Sequence, residues 1–308
     1  MTENKDTPSP EALQGLLETI APGSTFVATH PLEGDFSNST QLIEGKASDG
    51  LPFQVVVRRY AVFGEYDRGE KARREFKALD LLNAHGIPVP EPLYLDDSGA
   101  RLGSPGILTR YMPGNLVMSQ PYPSHWAEAL AKTLADIHRI PIDASDTSFL
   151  LDGNSEVLWF LKSKDSMPEY IRVHPKGNAL WNAMLDYLPK MVRVEPALVH
   201  IDYWAGNILW DEDKISAVVD WEEAALGDPG IDVAYCRMDM ILCGMNEVAD
   251  AFLAAYEREV NGSVPNLGFW ELAAAVRPMF NPDGWISGSP AAERFADYVD
   301  AAIRRTSL

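Results

Sequence analysis

Two carboxylates and an amide stand at a regular spacing in the middle of the chain. Asn207 follows Asp202 by 5 positions, and Asp220 follows Asn207 by 13. Asp202 comes just after the short apolar run Ala197–Val199, so we expect it on a loop at a strand end. Phosphoryl transfer needs a carboxylate that orients or deprotonates the attacking hydroxyl, and an amide and a carboxylate that hold magnesium. This spacing predicts Asp202 as the catalytic residue, with Asn207 and Asp220 as metal ligands.

A predicted hairpin separates the two metal ligands. The apolar runs Ile208–Trp210 and Ile215–Val219 flank the acidic turn at 211–214. Because a hairpin returns its two ends to one place, we expect Asn207 and Asp220 to converge. The alternative is that both residues only cap turns, as Asn and Asp often do.

The order of these motifs resembles the aminoglycoside phosphotransferase family, which includes choline kinase-like enzymes and is the small-molecule branch of the protein-kinase-like fold. The resemblance rests on three segments: His200-x-Asp202-x-x-x-Gly206-Asn207, Val219-Asp220-Trp221-Glu222 and Gly227-Asp228-Pro229-x-x-Asp232. It implies an α+β, two-lobed fold, with an antiparallel N-terminal sheet carrying one helix and a mostly helical C-terminal lobe. Asp228 and Pro229 are more typical of a helix start than of catalysis.

A strand is expected at the β-branched run Val55–Val57, which leads into two arginines. Period-two alternation puts Val56 and Arg58 on one face. The resemblance implies that Val56 lies under the adenine and that Arg58 reaches the phosphates, where kinases usually carry Lys. Whether Arg58 or Arg59 has this role is left open by the pattern.

A helix is predicted from Asp67 to His85, and Gly86 ends it. Glu75 lies on its inward stripe, where a carboxylate is costly unless paired. The resemblance implies Arg58 as its partner, whereas the alternative is an exposed pair with Lys71.

Two further segments complete the expected nucleotide site. Ser37 and Asn38 lie in a short polar loop between an apolar segment and the strand predicted at Gln41–Ile43. Backbone N–H groups of this loop could approach phosphate oxygens, although such a loop is often only a turn. The resemblance implies that Thr109, Tyr111 and Met112 form a hinge whose backbone reads the adenine.

The remainder of the chain is expected to be helical. We therefore expect residues 1–111 to form a nucleotide-binding lobe, of which 1–20 is a partly flexible tail, and 112–308 a helical lobe with the catalytic loop, metal site and acceptor pocket. Predicted helices in this second lobe are Ser124–His138, Asn178–Leu188, Asp228–Cys243, Glu247–Glu257, Leu267–Arg277 and Pro290–Arg305.

Composition limits the partners. A formal net charge of −19 argues against nucleic acid and anionic membranes, which need a basic surface. It favours a cationic acceptor, with Glu222 and Glu223 as residues that could attract amino groups. Cys236 and Cys243, the two cysteines, are expected to be reduced. No long apolar run and no basic leader are present, so we expect a cytoplasmic protein. We also expect a monomer or a weak dimer.

The predicted function is a kinase that uses ATP (or GTP) and Mg²⁺ to phosphorylate a hydroxyl of a small molecule, such as an aminoglycoside or another antibiotic. Within enzymes the alternative is a metabolic kinase of the choline, homoserine or fructosamine type. From another class the alternative is a regulatory nucleotide-binding pseudokinase. Ile201 and Ala205 depart from the family pattern, which usually has Gly and often Pro at these positions. A β-branched residue at 201 would resist a positive φ.

Overall fold

Residues 8–32, 38–61, 67–118, 122, 125–142, 147–162 and 166–307 are described by a computed structural model. They form two units. Unit 1 takes the described residues up to Asn115 together with Leu209–Asp211 and Ser216–Glu223, and unit 2 takes Leu116–Ile208, Glu212–Ile215 and Ala224–Leu308. The first unit therefore includes the segment around Asp220, which the sequence placed in the second lobe.

A five-stranded antiparallel sheet forms most of unit 1, with strand order β1-β2-β3-β5-β4. The elements of this part of the chain are α1 (Pro10–Ile20), β1 (Thr25–Pro31), β2 (Ser39–Lys46), β3 (Pro52–Arg59), α2 (Arg68–Ala84), β4 (Pro92–Asp96), β5 (Gly106–Arg110) and β6 (Asn115–Leu116). In β3, residues 55 and 57 face the buried core, and alternation turns residues 56 and 58 to the other face.

Residues 10–20 of the segment expected to be a partly flexible tail form helix α1. The hydroxyl of Ser9 accepts the N–H of Ala12 and caps the helix, which begins with a proline in its first turn. Leu13, Leu16 and Leu17 follow at helical spacing and are almost completely buried against the sheet. This apolar stripe gives the segment a reason to fold.

Unit 2 is mostly helical, as predicted. The elements of the chain from residue 126 onward are α3 (Trp126–His138), β7 (Leu151–Asp152), α4 (Gly153–Val157), α5 (Glu169–Arg172), α6 (Gly177–Tyr187), β8 (Ala197–Val199), β9 (Ile208–Asp211), β10 (Lys214–Val218), β11 (Ala225–Gly227), α7 (Gly230–Leu242), α8 (Asn246–Val260), α9 (Leu267–Ala274), α10 (Val276–Phe280), α11 (Pro282–Trp285) and α12 (Ser289–Thr306). Most residues of β9 and β10 belong to unit 1. Short 3₁₀ turns lie at Trp159–Leu161, Leu188–Lys190 and Ala205–Asn207. None of the helices within the described ranges is long and apolar enough to cross a membrane.

Two small sheets position the loops of interest. Strands β9 and β10 form the predicted hairpin, in a sheet with the order β10-β9-β6. Strand β11 pairs in parallel with β7 and antiparallel with β8, so the end of β8 at Val199 lies beside the start of β11 at Ala225. Helix α7 packs against α8, α9 and α12 and is buried along nearly its whole length.

The helix predicted over Leu267–Arg277 is in fact two helices. Helix α9 ends at Ala274, and α10 begins at Val276. Pro278 explains the break, because a proline has no N–H to donate and its ring clashes with the carbonyl four residues earlier, which here belongs to Ala274. Ser124, the N-cap predicted for α3, lies outside the described residues; the helix begins at Trp126.

Candidate active site

The loop after β8 has an unusual backbone conformation. Ile201 has a φ of 69°, in the left-handed region that β-branched side chains resist. Asp232 on α7 holds this conformation: its Oδ2 accepts the N–H of His200 at 2.8 Å and its Oδ1 accepts the N–H of Ile201 at 2.7 Å. Asp232 is completely buried, so these bonds are shielded from water. The carboxylate fixes the loop that leads to Asp202.

Two further side chains support Asp232. Nε2 of His138 on α3 lies 3.1 Å from Oδ2 of Asp232, and its Nδ1 lies 2.7 Å from the hydroxyl of Tyr256 on α8. A carboxylate can only accept, so Nε2 donates, and in the neutral imidazole Nδ1 then accepts from the tyrosine hydroxyl. Three helices thus converge on the backbone of one loop.

The side chain of Asp202 is held by an amide and a cation. Its Oδ2 accepts a hydrogen bond from Nδ2 of Asn207 at 2.9 Å, and the same Nδ2 donates to the backbone carbonyl of Asp202 at 2.8 Å. Its Oδ1 lies 3.1 Å from Nη1 of Arg277 on α10. The Asp202 side chain keeps 29% of its surface exposed, so a ligand can reach a carboxylate whose orientation is already set.

The Asn207 amide is oriented in a way that suits a metal ligand. Both of its hydrogen bonds use Nδ2, and its Oδ1 accepts none from any described residue. An amide oxygen and a carboxylate are hard oxygen donors, the type Mg²⁺ prefers. Asn207 belongs to unit 2 and Asp220 to unit 1. Their predicted convergence therefore stays a prediction.

Within unit 1, Arg58 is the centre of a cluster of carboxylates. Its Nη1 lies 3.4 Å from Glu75, and its Nη2 lies 2.5 Å from Asp220 and 3.3 Å from Glu222. Burial opposes ionisation, but Glu75 and Asp220 outweigh it and raise the pKa of Arg58. Asp220 itself has a φ of 70°, so its backbone is also left-handed.

Arg59, the other residue that the sequence allowed for the phosphate role, has a different environment. It is buried, and its Nη2 donates to the hydroxyl of Ser39 at 3.0 Å. Arg58 is therefore the arginine that contacts the predicted metal ligand.

Glu75 is buried beneath this cluster. It accepts hydrogen bonds from the hydroxyl of Tyr60 and, at 3.4 Å, from the N–H of Trp221. Burial raises the pKa of Glu75 to about 7, while Arg58 opposes that rise. The alternative of an exposed pair with Lys71 is wrong, because Lys71 contacts Glu222 instead.

Glu222 is the second carboxylate that braces the cluster. Its Oε1 lies 3.1 Å from Nζ of Lys71, and its Oε2 accepts from Nδ2 of Asn38 at 2.8 Å. With Arg58 also in contact, two cations compensate its charge, and 12% of its side chain is exposed. Glu223 is exposed. Recognition of amines by these two glutamates stays a prediction, although the contacts of Glu222 favour a role within the cluster.

The remaining residues predicted for the nucleotide lie along β3 and the end of β5. Val56 pairs with Thr109 across the two strands. The N–H of Tyr111 donates to the carbonyl of Gln54 at 3.3 Å, whereas the N–H of Met112 has no acceptor within the described part of the chain. If the hinge backbone reads an adenine, Met112 is thus better placed to donate than Tyr111. Ser37 lies outside the described residues.

A cleft of about 660 Å³ opens on unit 1 beside this segment. Tyr111 lines it together with Val27, Phe53, Gln54 and Arg110. Among the predicted hinge residues, Tyr111 is the one that reaches this cleft.

Sequence reasoning missed three residues around Asp202. Arg277 follows it by 75 positions, and no local motif connects the two. Tyr235 and Asp239 lie on α7, one and two turns after Asp232, and both are buried. The available signal was a stripe of polar residues along a helix that is otherwise apolar.

Comparison with known families agrees with the architecture. The sequence model of the family described as Phosphotransferase enzyme family (APH) matches residues 28–268. Acyl-CoA dehydrogenase family member 10 of Mus musculus is 26% identical over 242 residues, which are 72% of this chain and 21% of that protein. An Arabidopsis thaliana protein provisionally assigned as the acyl-CoA dehydrogenase IBR3 is 28% identical over 227 residues, 67% of this chain and 27% of that protein. The chain thus spans about a quarter of the length of these relatives.

An antibiotic-modifying enzyme is also similar over a shorter stretch. Viomycin phosphotransferase of Streptomyces vinaceus is 33% identical over 108 residues, which are 32% of this chain and 31% of that enzyme.

Solved structures share the fold along nearly the whole chain. A provisionally assigned aminoglycoside phosphotransferase from Ralstonia eutropha has a TM-score of 0.66 at 17% identity, with 97% of this chain and 98% of that chain covered. Spectinomycin phosphotransferase APH(9)-Ia, solved with ADP and spectinomycin, has a TM-score of 0.59 at 14% identity, with 97% of each chain covered. These likenesses confirm the predicted α+β fold. Because the family description also covers most of the sequence, the chain belongs to the phosphotransferase enzyme family, as the motifs around Asp202 predicted.

Proposed function

We propose that the protein transfers the γ-phosphate of ATP, with GTP as the alternative donor, to a hydroxyl group of a small molecule. The observation that carries this proposal is the Asp202 side chain, which is partly exposed and held by Asn207 on a loop anchored by Asp232. A carboxylate set in this way can position an acceptor hydroxyl before the reaction begins. Two phosphotransferases with this fold were solved with ADP and an antibiotic: spectinomycin phosphotransferase APH(9)-Ia with spectinomycin, and a mutant of aminoglycoside phosphotransferase APH(4)-Ia with hygromycin B.

Asp202 acts on the acceptor in this proposal. Its carboxylate accepts a hydrogen bond from the acceptor hydroxyl and takes up the proton as the oxygen attacks the γ-phosphorus. The new bond joins the acceptor oxygen to phosphorus, and the bond between the γ-phosphorus and the β–γ bridging oxygen breaks. The products are a phosphate ester and ADP, and Asp202 returns its proton to solvent.

Arg58 acts on the nucleotide. Its planar guanidinium can contact phosphate oxygens, and Glu75 fixes its orientation from below. Glu222 ties the same arginine to Lys71 on α2, so that helix α2 and strand β3 are held together. Asn38, which donates to Glu222, ties the residue just before β2 to this cluster.

Asn207 and Asp220 would hold Mg²⁺ together with phosphate oxygens. Mg²⁺ usually takes one or two protein carboxylates in sites of this kind and completes its shell with phosphates and water. When bound, the ion would compensate the charge that develops on the transferred phosphoryl group.

The pseudokinase alternative is less favoured by these side chains. Asp202, Asn207 and Asp220 are all present, whereas a regulatory nucleotide-binding protein has no need of a carboxylate aimed at an acceptor. Antibiotic and metabolic alcohols both stay open as acceptors of this enzyme class.

Substitutions of the two carboxylates should have different effects. Asp202→Ala should lower kcat by about 10²–10⁴-fold and leave the affinity for Mg-ATP unchanged, because this carboxylate acts on the acceptor. Asp220→Ala should weaken Mg-ATP binding, which isothermal titration calorimetry measures directly.

Asp186→Ala, at an exposed position on α6, is the control and should change neither quantity. An Asp202→Ala variant that keeps near-native kcat would remove Asp202 from the catalytic role. An unchanged Mg-ATP affinity in Asp220→Ala would count against Asp220 as a metal ligand.

A further inference from the structure

We propose that the acceptor is a hydroxy acid whose carboxylate binds Arg277 while its hydroxyl binds Asp202. The proposal rests on the function proposed above, because it names the acceptor class of the same site. It departs from the cationic acceptor that the overall charge of the chain favoured.

Arg277 is placed to contact anything that binds Asp202. Its Nη1 lies 3.1 Å from Oδ1 of Asp202, and 34% of its side chain is exposed beside the 29% exposed carboxylate. An acceptor hydroxyl that hydrogen-bonds to Asp202 therefore brings its neighbouring atoms to the guanidinium. Among the described residues, Arg277 is the cation in contact with Asp202.

The guanidinium of Arg277 is held in one plane. Its central carbon lies 4.3 Å from the centre of the Tyr235 ring, in a cation–π contact. Tyr235 is 4% exposed on the buried helix α7, and its ring meets the edge of Trp285 at 6.0 Å. A planar fork of N–H donors in a fixed orientation matches a carboxylate, which can accept two parallel hydrogen bonds.

The charges around this fork favour an anion over an amine. An acceptor ammonium placed beside Arg277 would be repelled. A carboxylate there would instead give Arg277 an anionic partner while Asp202 hydrogen-bonds to the acceptor hydroxyl. Burial raises the pKa of Asp239 to about 7, and the Asp202 carboxylate adds to that rise, so Asp239 does not carry a full negative charge near neutral pH. Glu222, the residue proposed to attract amines, is already paired with Lys71 and Arg58.

An aromatic surface formed by Phe280 of α10, Trp159 and Tyr170 fits the rest of an organic acid. Phe280 follows Arg277 by one helical turn and packs edge-on against Trp159 at 5.7 Å and Tyr170 at 5.2 Å. Phe280 is 61% exposed and Trp159 is 41% exposed, which is unusual for rings of this size. An acceptor with an apolar body can cover them.

The test compares matched acceptors at saturating Mg-ATP. The probes are 3-phenyllactate and straight-chain hydroxycarboxylates of four to ten carbons with the hydroxyl at carbons two to five. Each is paired with its methyl ester and with the amino alcohol of the same carbon skeleton, and kanamycin is added as a polyamine. ADP release and the mass of the phosphorylated product are measured. We expect turnover with free acids, with kcat/KM at least 10-fold above that of their esters and amines.

Arg277 variants connect this preference to the residue. Arg277→Gln should raise the KM of the acid acceptor by about 10- to 100-fold, the effect of losing charged hydrogen bonds, and leave the KM of Mg-ATP unchanged. The acceptor KM of Arg277→Lys should fall between those of wild type and Arg277→Gln, because lysine keeps the charge but lacks the planar fork of N–H donors. Arg139→Gln is the matched control. Nη1 of Arg139 also lies 2.9 Å from an aspartate, Asp136, but this pair is at the C-terminal end of α3.

Each result decides one claim. Turnover of amines, esters or kanamycin without the free acids overturns the carboxylate class and leaves the phosphotransferase proposal intact. So does a panel in which no acid is either phosphorylated or bound in a thermal-shift titration, while Mg-ATP still binds. Failure of Mg-ATP itself to bind would instead overturn the proposed function. Equal acceptor KM values for wild type, Arg277→Gln and Arg277→Lys would remove Arg277 from recognition.

Discussion

Burial decides which of the acidic groups near Asp202 carry charge. Asp202 is partly exposed and paired with Arg277, whereas Asp239 is 8% exposed and its carboxylate makes no hydrogen bond or ion pair with any described residue. A carboxylate in that position has lost its hydration without gaining a partner, which disfavours the charged form. The pKa of Asp239 accordingly rises to about 7, with burial as the larger cause and Asp202 as the smaller one. The titratable groups whose charges act on Asp239, or are acted on by it, are Asp202, Tyr122, Cys236 and Cys243.

This raised pKa predicts a pH dependence of stability. Between its ordinary pKa of 3.8 and about 7, the folded protein keeps a proton on Asp239 that the unfolded chain releases. The free energy of unfolding contributed by this group therefore falls as pH rises through that window. The asparagine of Asp239→Asn cannot ionise. The melting temperature of this variant minus that of wild type should therefore be larger at pH 8 than at pH 5.

Thermal melting of both proteins at several pH values measures this difference. Glu75, whose pKa is also raised to about 7, is present in both proteins, and its contribution cancels. Asp186→Asn, on the exposed face of α6, should show no such trend. A melting difference that does not grow with pH would mean that Asp239 is ionised in the folded state.

At the scale of elements, the loop between β8 and the 3₁₀ turn shows how a costly backbone is maintained. A left-handed conformation costs a residue with a Cβ about 1–2 kcal/mol. Asp232 offsets this cost with two buried hydrogen bonds to the N–H groups of His200 and Ile201. The Ile201 side chain is 3% exposed, so its burial also stabilises the conformation.

A pair of variants isolates the backbone cost at residue 201. Ile201→Ala and Ile201→Gly both remove the buried side chain and should both lose about 2–5 kcal/mol. Since φ is positive at this residue, the Gly variant should be more stable than the Ala variant by roughly 0.5–1 kcal/mol, the reverse of the usual order. Denaturant unfolding of the two variants gives the comparison. If Ala proves more stable than Gly, the left-handed conformation at 201 is not that of the folded protein.

Helix α10 shows how a single proline can divide a predicted helix into two. Without Pro278 the chain could continue α9 through residue 277, as the apolar periodicity predicts. The break at Ala274 starts a new helix, and the first turn of that helix carries Arg277 to Asp202. The contact between Arg277 and Asp202 therefore belongs to α10 and not to α9.

For the whole molecule, the net charge of −19 makes the surface repel other anions at low salt. If the acceptor is a hydroxy acid, its approach should be slowed by this field. At saturating Mg-ATP, kcat/KM for the acid should therefore rise as ionic strength increases from about 0.05 to 0.5 M, because screening shortens the reach of the repulsion. An amine acceptor should show the opposite slope.

The control for this salt series is the methyl ester of the same acid. Its neutral form should respond weakly, which separates an effect on the acceptor from an effect on the enzyme. A kcat/KM that falls with salt for the free acid would contradict the repulsion argument, and an amine that falls with salt would favour the cationic acceptor instead.

Local patterns were enough to predict the family and the fold. The order Asp202, Asn207, Asp220 lies within a single short stretch, and the alternation and periodicity that predict strands and helices act over a few residues. Helix α1 could also have been predicted from the helical spacing of its leucines. These features need no knowledge of how distant segments pack.

The pairing of distant side chains was decided by packing alone. Arg58 and Arg59 have the same residue type and adjacent positions, yet only the fold turns one toward Asp220 and the other toward Ser39. Lys71 could reach Glu75 along its own helix but contacts Glu222, which is 151 residues away. The charge of Asp239 likewise depends on water being excluded by neighbours that are remote in sequence. Burial and long-range pairing are properties of the packed chain, so no short segment of sequence contains them.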